Sequence, residues 1–402
     1  MSGGAVMTRR ASQAGDGATE GGRAARPERT DADHPNRRQA WAELLRLPAL
    51  FTVPGDALAG AAATAAAPNP RTLLAIGSSL CLYEAGMALN DWADRDEDAA
   101  ERPHRPLPSG RIHPAAALTA ACAFTGAGLA LATRAGRPAL AVAAPLAATV
   151  WAYDLALKHT SAGPVAMAAA RGLDLLLGAA ATTGRTRDAL GPAALLGTHT
   201  LAVTAVSRQE TRGGSPLAPL SALAATGLLS WLVGRRPSRP SAGRRETAGR
   251  DLVAGRQWDR ARSERPVATW RQTVGVVTGA LEAPRGLPGD PAARRAHGLA
   301  SGADSRIRPT CGPAPEKTSA ALRLALAAAY AATAVRPYLH AALNPSPPLT
   351  QRAVTGGIRA TIPLQAALTA RSGAGAGAGV NALLVAALAP LGRRFGRKVS
   401  VT

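Results

Sequence analysis

The sequence predicts an all-α fold, a multi-pass transmembrane helical bundle of about nine spans. Three observations carry that expectation. Apolar runs recur at regular spacing from about residue 45 onward, each near the ~20 residues that cross a bilayer core. The runs 138–156 and 163–182 carry almost no charge from which a soluble helix could build a polar face. Basic residues favour alternate loops, as in membrane proteins that keep Lys and Arg on the cytoplasmic side. Mean hydropathy is near zero over the 402 residues, but polar segments at 1–40 and 235–317 dilute the apolar runs.

Taken in order, residues 1–40 are rich in Arg, Asp and Gly without periodicity, which predicts a disordered cytoplasmic tail. No short apolar region with a small-residue cleavage site follows the basic start, so no secretory leader is expected. Trp41 to Leu50 reads as an amphipathic entry into the first helix. Helices are expected near 45–66, 72–92, 114–133, 138–156, 163–182, 192–208 and 217–234, the first membrane unit being 41–234. The stretch 235–317 is a basic, low-order insertion with no catalytic role. The remaining membrane helices, within 318–394, are expected near 319–335, 352–369 and 378–392. Gly373 to Gly379 is a low-complexity link, and 395–402 is a basic tail suited to the cytoplasmic leaflet. Nine or ten spans fit this pattern.

With the N-terminus inside, the even-numbered helices end in the cytoplasm. Their loops hold Arg102, Arg105, Arg111, Lys158, Arg208 and Arg212, against Arg71, Arg134, Arg137, Arg185 and Arg187 on the other side. The expected location is therefore a cell membrane, specifically a bacterial inner membrane. The formal charge of +21 has no aromatic-interleaved basic motif beside it, so no nucleic-acid partner is expected. Cys81, Cys122 and Cys311 form neither a metal-ligand spacing nor a disulfide framework.

The chemistry concentrates at Asn90-Asp91-Trp92-Ala93-Asp94-Arg95-Asp96-Glu97-Asp98, five acids in nine positions. Read as the last turns of one helix, Asn90, Asp91, Asp94 and Asp98 fall within an arc of about 100°, with Asp96 pointing away. Three carboxylates and an amide oxygen on one stripe suit a hard cation, and Mg²⁺ prefers a few carboxylates with waters and substrate phosphate oxygens. The basic loop that follows, Arg102-Pro103-His104-Arg105-Pro106-Leu107-Pro108-Ser109-Gly110, suits the phosphate. The bland reading of the acids is a solvated loop with helix-capping value.

Asn90-Asp91-x-x-Asp94-x-x-x-Asp98, followed by Arg102-Pro103-x-Arg105-Pro106-Leu107-Pro108-Ser109-Gly110, resembles the first signature of the UbiA superfamily of intramembrane prenyltransferases. The stretch Asn90 to Arg111 further resembles its EboC-like branch. The resemblance extends more weakly over 45–234 and 319–392. It implies a UbiA-like bundle with two aspartate-rich motifs facing each other at the cytoplasmic side, and Mg²⁺ bridging them to a prenyl diphosphate. Asp91, Asp94 and Asp98 would hold metal with Asn90 assisting, and Arg102, Arg105 and Lys158 would contact phosphate.

Tyr153-Asp154-x-x-x-Lys158 is similar to the family's Tyr…Lys pattern at the same side. Tyr153 and Lys158 read either as contacts to the leaving diphosphate or as an interfacial Tyr with a snorkelling Lys. At the place of the second acidic motif the chain departs from the family. Ser207-Arg208-Gln209-Glu210-Thr211-Arg212 offers one carboxylate, so Glu210 is the candidate metal ligand there, and Arg208 or Arg212 the phosphate contact. Arg171 and Asp174, at i, i+3 in the fifth helix, read either as contacts to a polar acceptor or as an ion pair. Asp56 and Glu84 are weaker candidates for the cavity lining, and His199 reads as a packed polar residue. The implied activity is Mg²⁺-dependent prenyl transfer to an unidentified acceptor. The alternatives are a membrane terpene cyclase of the same fold and a non-catalytic isoprenoid-binding or transport protein.

Overall fold

A computed structural model describes residues 33–209, 215–235, 315–372 and 376–399, and every regular element in them is helical. A first helix, α1 (Asp33–Leu44), precedes a 3-10 segment over Leu47–Thr52, and the chain then re-enters a helix as α2 (Pro54–Ala63). Pro48 and Pro54 cause the break. Proline has no backbone N–H to donate, so both sit in first turns, where none is needed. The helix expected over 45–66 is thus two pieces, and helix already begins at Asp33, inside the stretch expected to lack order.

The next helix, α3 (Pro70–Ala93), starts from a capping box. Asn69 Oδ1 accepts from the N–H groups of Arg71 and Thr72 at 3.0 and 3.2 Å, and the Thr72 hydroxyl accepts from the Asn69 N–H at 3.0 Å. A short α4 (Arg95–Glu101) follows one residue after α3 ends. The acidic stretch is therefore not one straight helix, because Asp94 turns the chain with ψ near 2°. The 4-residue hydrogen bonds Asp94 N–H to Asn90 and Asp98 N–H to Asp94 persist across the turn, at 2.9 and 2.8 Å.

Beyond it run α5 (Pro114–Ala135), α6 (Arg137–Ala152), α7 (Gly163–Thr183), α8 (Leu190–Ser207) and α9 (Leu217–Gly234). A single π turn, Tyr153–Leu157, extends α6. Gly136, with φ 128°, ends α5 in a backbone conformation that side chains disfavour. The last helices are α10 (Pro315–Leu343), α11 (Pro347–Ser372) and α12 (Ala376–Val399). Expected features at residues 1–32, 210–214, 236–314, 373–375 and 400–402, Glu210, Arg212 and Cys311 among them, lie outside the described residues.

Among the described residues, seven helices are long and apolar enough to cross a membrane: α3, α5, α6 with its π turn, α7, α8 with the turn before it, α9 and α10. α2, α11 and α12 do not meet that measure. For α11 the reason is its place in the bundle. It buries Thr361, Gln365 and Thr369 among its neighbours, so it needs no lipid-facing apolar surface along those turns. Small residues let backbones approach where α2 crosses α7. A Cβ on Gly60 would strike the Leu175 carbonyl, and one on Gly178 would strike the Ala57 backbone.

One cluster bears directly on the acidic stretch. Leu44 of α1, Leu89 of α3, Leu107 and Ile112 of the basic loop, and Ala117 of α5 are buried together. This apolar contact folds the loop after α4 back over the end of α3, and the Arg111–Glu43 ion pair at 2.8 Å ties it to α1. The arginines of the loop are thereby held beside the acids that precede them.

Candidate functional site

The acids at the end of α3 do not point to one spot. They divide among several cationic partners. Asp91 is 5% exposed, and its Oδ1 accepts from Arg46 Nη2 at 3.1 Å. Asp98 is 2% exposed and accepts from Arg105 Nη1 at 2.6 Å and Arg102 Nη1 at 3.4 Å. The same Arg105 nitrogen lies 3.9 Å from Asp91, so one guanidinium spans both buried carboxylates. Asp94 forms an ion pair with Lys158, at the end of the π turn, and lies 3.9 Å from His159 Nε2. Asn90 Nδ2 donates to the buried Asp154 at 3.2 Å. Asp96 points away, exposed and paired to Arg95, as its position on the helix predicts.

The stripe Asn90, Asp91, Asp94 and Asp98 is divided among partners, the arginines pairing with Asp91 and Asp98 while Asn90 turns to Asp154. Among the described residues, the ligand atoms that converge are those of Asp94, Glu97 and His159, all within 4.8 Å of one another. Only Asp94 belongs to both sets.

Behind this cationic and acidic rim lies a cavity of about 460 Å³ between α3, α6, α7, α8 and α11. Its outer end is lined by Arg46, Asn90, Tyr153, Asp154 and Ser207. Its walls are apolar, with Leu82, Met87, Leu146, Val150, Met167 and Val203. Its inner end is polar again, with Ser79, Arg171, Asp174, His199 and Thr361. Of the residues singled out in the sequence, Asn90, Tyr153, Arg171, Asp174 and His199 line this space. Asp91, Asp94, Asp98, Arg102, Arg105 and Lys158 surround its outer end in ion pairs. Arg208 Nη1 donates to the Thr160 carbonyl and so fastens the end of α8 to the turn after Lys158.

Arg171 and Asp174 are not paired with each other. Arg171 Nη1 lies 2.9 Å from Asp56, which is fully buried, and Arg171 Nη2 donates to the Thr52 carbonyl at 3.2 Å. Asp174 accepts from the Ser79 hydroxyl. Gln365 donates to Asp56 at 2.6 Å and to the Thr52 carbonyl at 2.7 Å. His199 Nε2 lies 3.1 Å from the Gly357 carbonyl and Nδ1 lies 3.0 Å from the Tyr330 hydroxyl. A carbonyl only accepts, so Nε2 carries the proton and Tyr330 donates to Nδ1. His199 therefore clamps α8 to α10 and α11, a packing role in keeping with its reading from sequence. Glu84 is buried in α3 with no partner for either carboxylate oxygen among the described residues, and it lies outside the cavity lining.

Sequence reasoning missed Arg46, Glu97, Asp154, His159 and Gln365. Arg46 carried a signal, a lone cation in Leu45-Arg46-Leu47-Pro48 ahead of an apolar run. Asp154 carried another, as the one acid between Arg137 and Lys158.

Residues 50–233 match the UbiA prenyltransferase family. A protein named digeranylgeranylglyceryl phosphate synthase from Methanopyrus kandleri is 34% identical over 127 residues, which are 30% of this chain and 45% of that relative. One of the same name from Methanothrix thermoacetophila is 36% identical over 112 residues, 28% of this chain and 42% of the relative. The chain thus spans about half the length of the relatives it matches. Among solved structures, one of digeranylgeranylglyceryl phosphate synthase in membranes aligns with a TM-score of 0.46 at 14% identity, over 83% of this chain and 97% of the other. A UbiA homologue from Archaeoglobus fulgidus, bound to DMAPP and Mg²⁺, aligns with a TM-score of 0.40 at 18% identity, over 48% of this chain and 76% of the other.

Proposed function

We propose that this chain, whose residues 50–233 form a UbiA prenyltransferase family domain, moves a prenyl group from a prenyl diphosphate to an acceptor at a membrane surface. The observation that carries the proposal is the juxtaposition of a rim of paired carboxylates and cations with an apolar-walled cavity of about 460 Å³. A prenyl diphosphate has the same two halves, an anionic head and a hydrocarbon tail. Within the family, the Asn90–Arg111 stretch supports the EboC-like branch as the narrower assignment.

The rim fits a hard divalent cation. Its donors are mainly carboxylate oxygens, and Asp94, Glu97 and His159 bring ligand atoms within 4.8 Å of one another. Asp94 is the residue proposed to hold Mg²⁺, with Asp91, Asp98 and Asn90 as the motif's other contributors and Glu210 as the candidate from the second acidic segment. When bound, Mg²⁺ would supply Lewis-acid withdrawal of charge from the diphosphate oxygens.

The chain's own residues supply the rest. Arg46, Arg102, Arg105 and Lys158 each hold a carboxylate that competes with phosphate for the same donors. We assign them to the departing diphosphate, whose developing charge they stabilise as the allylic C–O bond breaks. Tyr153 and Asn90 line the place where head and tail meet. The apolar walls keep water from the allylic carbon until an acceptor takes it. The mouth faces the cytoplasm in the proposed topology, with the chain an integral protein of the cell membrane.

The test is incubation of membranes carrying the full chain with labelled prenyl diphosphates and a panel of acceptors. The name of the relatives places isoprenyl glyceryl phosphates in that panel, beside phenols and sugars. A labelled lipid product that needs both partners supports transfer. A hydrocarbon product formed without any acceptor favours a cyclase, and absence of any product with every donor sinks both.

A further inference from the structure

We infer that the polar groups at the inner end of the cavity form a fixed floor that gauges the donor chain at about three isoprene units. This rests on the proposed function, with the diphosphate at the Asn90 end. Asn90 and Ser79 line the same cavity from one helix, and their separation in sequence sets its depth at about 16 Å at ~1.5 Å per residue. An extended isoprene unit advances about 5 Å, taking carbon–carbon bonds of about 1.5 Å in a zigzag. About three units therefore reach from the rim to Ser79.

The floor is closed by hydrogen bonds and one ion pair between segments and not by loose side chains. Ser79 of α3 bonds Asp174 of α7. Arg171 of α7 reaches Asp56 of α2 at 2.9 Å and the Thr52 carbonyl at 3.2 Å. Gln365 of α11 reaches the same two acceptors at 2.6 and 2.7 Å. At the same end, His199 pins α8 to Tyr330 of α10 and Gly357 of α11. Asp56 is 0% exposed, so parting this network for a longer tail would strand a buried ion without its partner.

The wall between rim and floor is apolar and takes the tail without such a penalty. A fourth unit has to leave sideways between helices. There it trades contact with lipid for contact with an equally apolar protein surface and gains little. Donor affinity should then climb with chain length up to farnesyl and stop climbing there.

The test uses the full chain in lipid nanodiscs with Mg²⁺ and prenyl thiolodiphosphates, which bind without being turned over. Dimethylallyl, geranyl, farnesyl and geranylgeranyl probes are compared. Affinity is expected to rise through farnesyl, with geranylgeranyl no tighter. A geranylgeranyl probe that binds ~10-fold tighter than farnesyl, or affinity that ignores length, overturns the inference. Ile358→Trp gives a second reading. Ile358 lines the cavity one turn from Thr361 and is 48% exposed, so added bulk there needs no repacking of a closed core. Farnesyl affinity should fall about 10-fold and dimethylallyl affinity should hold; equal change for every length contradicts the floor. The two proposals fail differently. Probes that bind with the expected length profile but donors that give no product sink the transfer reading alone. Binding of no probe removes the diphosphate site and the floor with it.

Discussion

Arg46 donates to the Asp91 carboxylate over 3.1 Å from a backbone held in the left-handed region, at φ 47° and ψ 45°. A non-glycine residue there carries a cost of about 1–2 kcal/mol. Pro48 in the first turn of the following segment bends the chain just after it, and the guanidinium lands on the buried Asp91 near the start of the acidic stretch. Strain at such a position points to a role at the site.

Replacing Arg46 separates strain from function. Arg46→Gly relieves the backbone and removes the cation. Thermal stability in detergent should change by no more than about 1 kcal/mol, the relieved strain offsetting the lost ion pair. Donor KM should rise about 10-fold, the worth of one charge-assisted hydrogen bond. A large loss of stability with unchanged KM would make Arg46 a structural residue only.

The Asp94–Lys158 pair joins α3 to the π turn after α6, with side chains 20% and 10% exposed. Asp94→Asn should lower turnover by on the order of 10²–10³, the range seen when one charge-stabilising group is removed. Lys158→Met should lower it less, because Arg46 and Arg105 remain beside the rim. Steady-state kinetics on the two variants and the double variant would give non-additive losses if the two act on one diphosphate.

Asn90 offers a sharp isosteric test. Its amide nitrogen donates to the buried Asp154 at 3.2 Å. Asn90→Asp puts a second carboxylate in that place, turning a hydrogen bond into a contact between acceptors. The variant should lose about 1–3 kcal/mol, read as a lower midpoint in thermal unfolding at neutral pH. Acidification should restore part of the loss, since a proton on either carboxyl recreates a donor.

The Asp56–Arg171 pair predicts a different pattern. Arg171→Met alone leaves Asp56, which is fully buried, without its cation, facing Gln365 and the neighbouring Asp174 carboxyl. That single change should cost about 3–5 kcal/mol and reduce the yield of monodisperse protein. Asp56→Asn combined with Arg171→Met removes both charges and should recover most of it, as size-exclusion profiles and unfolding midpoints would report.

Much of this was legible in the chain. The spacing Asn90, Asp94, Asp98 followed by Arg102 and Arg105 drew attention to residues that do stand together. The apolar runs over α3 and α5 to α9 marked helices within a few residues of their ends. What escaped has physical causes. Proline placement, not hydropathy, splits the first helix at Pro54. The turn at Asp94 sends neighbouring acids to different partners, which an ideal helical arc cannot show. Glu97 and His159 meet across a gap of more than sixty residues, and Asp56, Arg171 and Gln365 come from three helices. In helices built so heavily of Ala and Gly, periodicity says little about which polar side chain faces which neighbour.

Product formation by the purified full chain in nanodiscs reads prenyl transfer itself. Labelled farnesyl diphosphate and an acceptor mixture are supplied while Mg²⁺ is titrated against a chelator. A prenylated lipid and released diphosphate should rise and saturate with Mg²⁺, vanish on chelation, and be lost in a folded Asp94→Asn protein. Undiminished product in the presence of chelator, or full turnover by Asp94→Asn, would contradict Mg²⁺-dependent transfer through Asp94.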